Sequence, residues 1–147
     1  MAQPTTTYDP KKVVITFGGV PITGYADGTF VSIEPVEEAF TRVSGADGLV
    51  SRSRSNDDGY EVTVTLQQTS LSNAVLSGIH NSDKRNGDGV KPLTIKDLRG
   101  EQLFFAEAAW IRQDPTVEYS KEIEEREWGF DTGRGEQFIA GSEPPTA

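Results

Sequence analysis

The chain has 147 residues and a formal net charge of −9, with 35% hydrophobic and 25% charged residues, 15 glycines, 8 prolines and no cysteine. That length suffices for one domain whose core needs no disulfide or metal. The absence of cysteine excludes disulfide scaffolds, thiolate metal sites and cysteine nucleophiles, and the acidic balance argues against gripping nucleic acid through its phosphates.

Residues 1–10, rich in Thr, Pro and Gln, offer little to bury and read as a flexible N-terminal arm. They have neither the basic start nor the apolar centre of a signal peptide. Apolar runs such as Val13–Ile15 and Leu103–Ala106 fall far short of the ~20 residues of a membrane span. A soluble protein that stays where it is made is therefore expected, with no membrane partner.

Lys12 to Phe17 forms a first strand with Val13, Ile15 and Phe17 on one face, and Gly18-Gly19 supplies a tight hairpin turn. Val20 to Thr23 returns as a short strand that Pro21 marks as an edge. A second turn, Gly24 to Gly28, leads into a strand from Thr29 to Val36.

From Val43 to Gly59 only Val43, Ala46, Leu49 and Val50 are apolar. Gly45 to Gly48 can turn a hairpin, but its arms have little to bury in their own domain. Two readings stay open for this extended segment, 43–59: a mobile surface loop, or an arm that orders against another subunit.

Gly59 to Lys84 carries the clearest change of period. Tyr60, Val62, Val64 and Leu66 alternate with Glu61, Thr63 and Thr65, as on a half-buried strand. Leu71, Ala74, Val75 and Ile79 then recur at helical spacing, with Thr69 or Ser70 placed to accept from a first-turn N–H. This predicts one helix, about residues 69–80, with Leu71, Val75 and Ile79 buried against the sheet. Val90 to Asp97 is a short strand and Leu98 to Glu101 its turn. Gln102 to Arg112 is the longest strand, with Phe104, Ala106, Ala108 and Trp110 on one face and Leu103, Phe105, Ala109 and Ile111 on the other. Both faces being apolar except at Glu107, it should be central or covered on both sides. Val117 to Tyr119 and Arg126 to Asp131 follow as the last strands. Residues 132–147 fade into a C-terminal tail in which Phe138-Ile139 is the one apolar anchor. The class is mainly β, a sandwich or barrel with one flanking helix, in a single domain.

No catalytic constellation emerges. His80, the one histidine, has Asp83, Ser77 and Ser82 near it in sequence, but no strained nucleophile turn accompanies them. Between Asp114 and Asp131 seven acids face only Lys121 and Arg126; they are consecutive rather than convergent, unlike a glycosidase pair, and lack the Asp/Asn-Gly pattern of a calcium loop. A solvated acidic face explains them. NDDG at 56–59 and NGDG at 86–89 are turn chemistry, and no phosphate loop, dinucleotide fingerprint or zinc spacing occurs. No enzyme activity, metal or cofactor is implied.

The segments TYDPKKVVITFGGVPITGYADGTFVSIE, GADG, VTVTLQQTSLSNAVLSGIHN, PLTIKDLRG and AWIRQDPTVEYSKEIEEREW, in this order, resemble the tail tube proteins of contractile-tailed bacteriophages from about Thr7 to Phe130. The resemblance implies a structural virion subunit, assembled in the host cytoplasm, whose hexameric rings stack into a hollow tube inside a contractile sheath. Tape measure, baseplate and terminator proteins are the implied partners, and DNA passes down the lumen without specific binding. On this reading Ser44, Asp47, Arg52, Arg54 and Asp57 are candidates for an inter-ring arm. Glu34, Glu37, Glu38, Glu122, Glu124 and Glu125 are candidate lumen acids. The alternatives are a tube protein like that of type VI secretion systems, similar in architecture, and a β-sandwich carbohydrate-binding or hydrolytic domain using the acidic run.

Overall fold

A computed structural model describes residues 13–97 and 103–139. The N-terminal arm, the turn from Leu98 to Glu101 and the end of the C-terminal tail lie partly or wholly outside these residues. In chain order the elements are β1 (Val13–Phe17), β2 (Val20–Ile22), β3 (Val31–Pro35), β4 (Phe40–Ser44), β5 (Val50–Arg54), β6 (Tyr60–Gln67), α1 (Ser72–Asn86), β7 (Lys91–Asp97), β8 (Leu103–Gln113), β9 (Glu125–Thr132) and β10 (Gly135–Phe138). Val117 to Tyr119, expected as a strand, belongs instead to the connection before β9. The tail from residue 132 begins as sheet, because β10 pairs with the start of β8.

Eight strands share one sheet in the order β2-β1-β7-β8-β9-β6-β3, with β10 added on β8, while β4 and β5 pair only with each other. All pairs are antiparallel. Strand β8 holds the larger sheet together. Its first half lies between β7 and β10, and its second half pairs with β9. Shared in this way, the sheet folds over itself. Phe17 of β1 meets Phe130 of β9 edge-to-face at 5.2 Å, although two strands separate them in the sheet order. Tyr60 of β6 meets Phe104 of β8 at 5.1 Å in the same manner. Between the two halves, Tyr25 bridges to Leu66 through its backbone while its hydroxyl accepts from the N–H of Ile15 at 3.3 Å. Burial pushes this phenol above its ordinary pKa, more than the Ile15 bond lowers it. The sheet is nevertheless open: β2 and β3 end it without pairing to each other, so the subunit is a folded-over sheet and not a closed barrel.

The alternation expected of β1 and β6 is realised, with Ile15, Phe17, Val62, Val64 and Leu66 buried. Gly18 and Gly19 turn β1 into β2 at φ 62° and 83°, which only glycine adopts without strain. Strand β8 is central, as expected, but it is not covered on both sides. Four of its residues, Ala106 to Ala109, stand against three of β7, Lys91 to Leu93. This bulge reverses the alternation. Phe104 and Ala106 point inward before it, Ala109 and Ile111 after it, and Leu103 and Phe105 stay exposed.

The helix also departs from expectation. It starts after Leu71 and runs six residues beyond His80, to a left-handed Gly87 whose N–H donates to the Asp83 carbonyl. Its buried residues are Ser72, Leu76 and His80, with Ile79 partly buried. Leu71 is 87% exposed and Val75 42%. The start of α1 is fixed by tertiary bonds that the apolar period does not reveal. Ser70 Oγ accepts from the Ser72 N–H and donates to the Thr23 carbonyl, and Ser72 Oγ accepts from the Thr23 N–H. Asn73 donates to the Gln67 carbonyl and accepts from the Trp128 indole N–H, each at 2.9 Å. These bonds rotate the helix so that position 76, not 75, enters the core. Leu76→Ala should therefore lower the unfolding free energy by about 2–5 kcal/mol, whereas Leu71→Ala should stay within about 0.5 kcal/mol of the parent. Urea titration compares the two, and equal losses would contradict this placement.

Candidate assembly surfaces

Most of the segment 43–59 is a hairpin that projects from its subunit. Strands β4 and β5 are exposed at every residue. The turn is closed by Gly45 and Gly48, and Asp47 accepts from the Leu49 N–H at 3.1 Å. At its root the Ser55 N–H donates to the Ala39 carbonyl at 2.8 Å, so the chain leaves and re-enters the domain at one place. Of the candidate arm residues, Ser44, Asp47, Arg52 and Arg54 belong to the hairpin. Asp57 does not: it accepts from the Gly59 N–H at 2.9 Å and turns the chain into β6.

The two faces of the hairpin differ in chemistry. The register Phe40↔Arg54, Arg42↔Arg52 and Ser44↔Val50 puts three arginines on one face. Thr41, Val43, Ser51 and Ser53 form the uncharged other. Arg52 stacks over Phe40 with its guanidinium carbon 4.1 Å from the ring centroid. Arg54, well exposed, reaches the half-buried Asp58 at 3.7 Å.

The second surface is the outer face of β3, β6 and β9, opposite the core. Successive rows across these strands are Glu34–Glu61–Asp131, Ser32–Thr63–Gly129, Thr65–Glu127 and Gln67–Glu125. Three carboxylates thus stand side by side in the first row, an arrangement that repels. Arg112 answers part of it. It is the extra residue where β8 places Arg112 and Gln113 after Ile111 against Gly129 after Phe130. The bulge re-aims its side chain across the sheet. Its guanidinium lies 3.4 Å from Glu61 and 3.6 Å from Asp131. Gly129 makes room for this: a Cβ there would come within 2.8 Å of the Arg112 Nη2. Between the middle of this face, at Thr63, Thr65 and Gly129, and the 114–124 connection lies a concavity of about 300 Å³ that includes Asp114, Glu118, Glu124, Glu125 and Glu127.

The six candidate lumen acids fall in three places. Glu34 and Glu125 lie on this polar face. Glu37 and Glu38 stand at the hairpin root, where Glu37 accepts from the Ser55 hydroxyl at 2.6 Å. Glu122 and Glu124 belong to the connection before β9, with Glu124 accepting from Ser120 Oγ. Glu61, Glu127 and Asp131 share the face without having been singled out. The alternation of β6 signals Glu61, but the pairing of β6 with β9 is needed to find the other two. Arg112 and Gly129 carry no sequence signal, since their relation exists only through a bulge.

No catalytic constellation is assembled among the described residues. His80 is buried on α1, and its Nδ1 has no hydrogen-bond partner among the described residues. Ser82 instead donates to Asp88 at 3.0 Å, and Asp83 accepts from the Gly89 N–H at 3.0 Å. No described helix is long and apolar enough to cross a membrane. Replacing Arg112 with Met should leave the acidic row unopposed. The expected loss is at most about 1 kcal/mol in dilute buffer, as befits a solvent-screened pair, and it should shrink in molar salt. Denaturant titrations at two salt concentrations measure it; a loss that salt does not change would assign Arg112 a packing role instead.

Residues 14–140 match the family described as the bacteriophage PhiTE tail tube protein. The chain is 35% identical over 136 residues to the structural protein ORF10 of Pseudomonas phage KPP10, covering 87% of this chain and 79% of that protein. Among solved structures, a chain of the tube-terminating cap of the anti-feeding prophage superposes with a TM-score of 0.64 at 14% identity, covering 95% of this chain and 96% of that one. A chain of the extended PVC sheath–tube complex, an extracellular contractile injection system, gives 0.58 at 15% identity, with 93% of each covered. At such identities the likeness is one of fold. The sequence relationships go further, and they place this chain in the PhiTE tail tube family of bacteriophage structural proteins, with a structural rather than an enzymatic role.

Proposed function

We propose that the chain forms the wall of a phage tail tube, in which six copies close into a ring and rings stack into a conduit for DNA. The observation that carries this reading is the hairpin Phe40–Arg54. Its ten strand residues are all exposed, so ordering it gains almost nothing from burial within its own subunit. An isolated two-stranded sheet is marginal in water. A neighbouring ring supplies the missing surface.

Other features support the same arrangement. The edges at β2, β3 and β10 leave backbone groups able to pair with a neighbour, and pairing around a ring removes such edges. The strand-borne acids Glu34, Glu61, Glu125, Glu127 and Asp131 make one continuous polar face, suited to a lumen because phosphate is repelled and DNA slides without being held. Glu37, Glu38, Glu122 and Glu124 stand off that face and belong to contacts at the two ends of the subunit. Sheath, tape measure, baseplate and terminator proteins are the expected partners, with assembly in the host cytoplasm. The phage relative favours a virion tube over a secreted one. Electron microscopy of the concentrated protein should show rings or tubes; a strict monomer by sedimentation at the same concentration would overturn the proposal.

The hairpin supplies a second test. Residues 40–54 can be replaced by two glycines, because Ala39 and Ser55 are already joined by a 2.8 Å backbone bond. The melting temperature should move by no more than about 2 °C, while tubes should be lost. Tubes of undiminished length in this variant would remove the axial role of the hairpin.

A further inference from the structure

The geometry points to a charge-matched, head-to-tail docking in which the arginine face of the hairpin seats in the acidic concavity of a second copy of this chain. The inference rests on the tube reading and names the chemistry of its axial contact. Arg42, Arg52 and Arg54 are three of the chain's 14 basic residues, and the register β4↔β5 collects them on one face. Arg42 and Arg52 are directly opposed. Like charges so placed destabilise a strand pair, and the described residues provide neither with a carboxylate partner. The arrangement is stable once carboxylates from outside the subunit intervene.

The chain carries a matching surface at its opposite end. The hairpin springs from the Pro35 and Tyr60 end of β3 and β6. The concavity runs from Thr63 and Gly129, midway along the polar face, to Glu118, Glu124 and Glu125, which lie at the Gln67 end of β6. Tyr60 and Gln67 end an eight-residue strand, which is about 23 Å long at about 3.3 Å per step. Within one subunit no ion pair joins the hairpin arginines to the concavity among the described residues, and on successive copies the hairpin and the acids Glu118 and Glu124 meet along the strand direction. One basic and one acidic end make the contact heterologous and directional, the kind that propagates in a line. Arg112, the one base lining the concavity, is engaged by Glu61 and Asp131. Phosphate is the less suitable occupant for the arginines, because Glu37, Glu38, Asp47 and Asp57 surround the hairpin in a chain of net charge −9.

Charge reversal tests the docking. R42E/R52E should raise the critical concentration for tube growth about tenfold or more at about 0.15 M salt, with an unchanged urea midpoint. D114K/E118K/E124K should do the same, and the chain carrying all five substitutions should again form tubes. Wild-type tubes should shorten as salt rises. Variants that stack as well as the parent, or a five-fold variant that stays unstacked, would overturn the docking while leaving the tube reading intact. Wild-type protein that forms neither rings nor tubes would remove the reading beneath it. A fluorescent duplex DNA probe provides the remaining arm: DNA binding lost in R42E/R52E while its tubes persist would assign the arginines to phosphate instead.

Discussion

Strand β8 carries eleven residues but no single pair of partners along its length. Its first half is hydrogen-bonded to β7 and β10, its second half to β9. A flat strand could not serve three neighbours and still direct apolar side chains to one core. Two one-residue bulges resolve this. The first resets the alternation so that Phe104 and Ala106, then Ala109 and Ile111, all point inward. The second, at Arg112, falls where β8 parts from β9. Bulges add local twist, and across this sheet Phe17 of β1 meets Phe130 of β9. The inward face of β8 is apolar along its length because the strand is irregular.

The same irregularity explains which parts of the fold were legible in the sequence. β1 and β6 are regular, so Ile15, Phe17, Val62, Val64 and Leu66 follow the period of two and are buried as read. β8 is the strand where period-two reading fails, because a bulge moves every later side chain to the other face. The helix fails differently. Leu71, Ala74, Val75 and Ile79 mark one apolar stripe, yet the stripe that packs is Ser72, Leu76 and His80. Hydrogen bonds from Ser70, Ser72 and Asn73 to residues as distant as Thr23 and Trp128 decide the rotation. Polar anchors at long sequence range leave no periodic trace. Among the surfaces, the polar segment 43–59 announced itself by its lack of anything to bury. The arginine face and the row Glu34–Glu61–Asp131 needed strand register, which composition does not contain.

Apolar side chains that the subunit leaves outside are grouped as well. Leu103 and Phe138 are directly opposed across β8 and β10, and Phe105 lies two residues along on the same face. All three are between 38% and 58% exposed. Together with the edges of β2, β3 and β10, they are surfaces that the proposed ring would cover. A soluble monomer blunts its edges with charge or covers them. Here the charges sit elsewhere, on the hairpin and on the polar face of β3, β6 and β9.

The acidic face shows what the folded subunit alone does not require. Glu34, Glu61 and Asp131 repel across neighbouring strands, and a face arranged for stability alone would alternate signs. Arg112 relieves two of the three carboxylates, through contacts of 3.4 and 3.6 Å that remain partly solvated. Such contacts are worth at most about 1 kcal/mol, so the face stays acidic. The bulge that aims Arg112, and the missing side chain at Gly129 that admits it, hold the repulsion at a tolerable level without cancelling it. In the proposed tube that residual charge is useful, because it faces a polyanion that must pass without binding. Strand β8 thus governs both sides of the sheet, one bulge turning apolar residues into the core and the other limiting the charge on the wall.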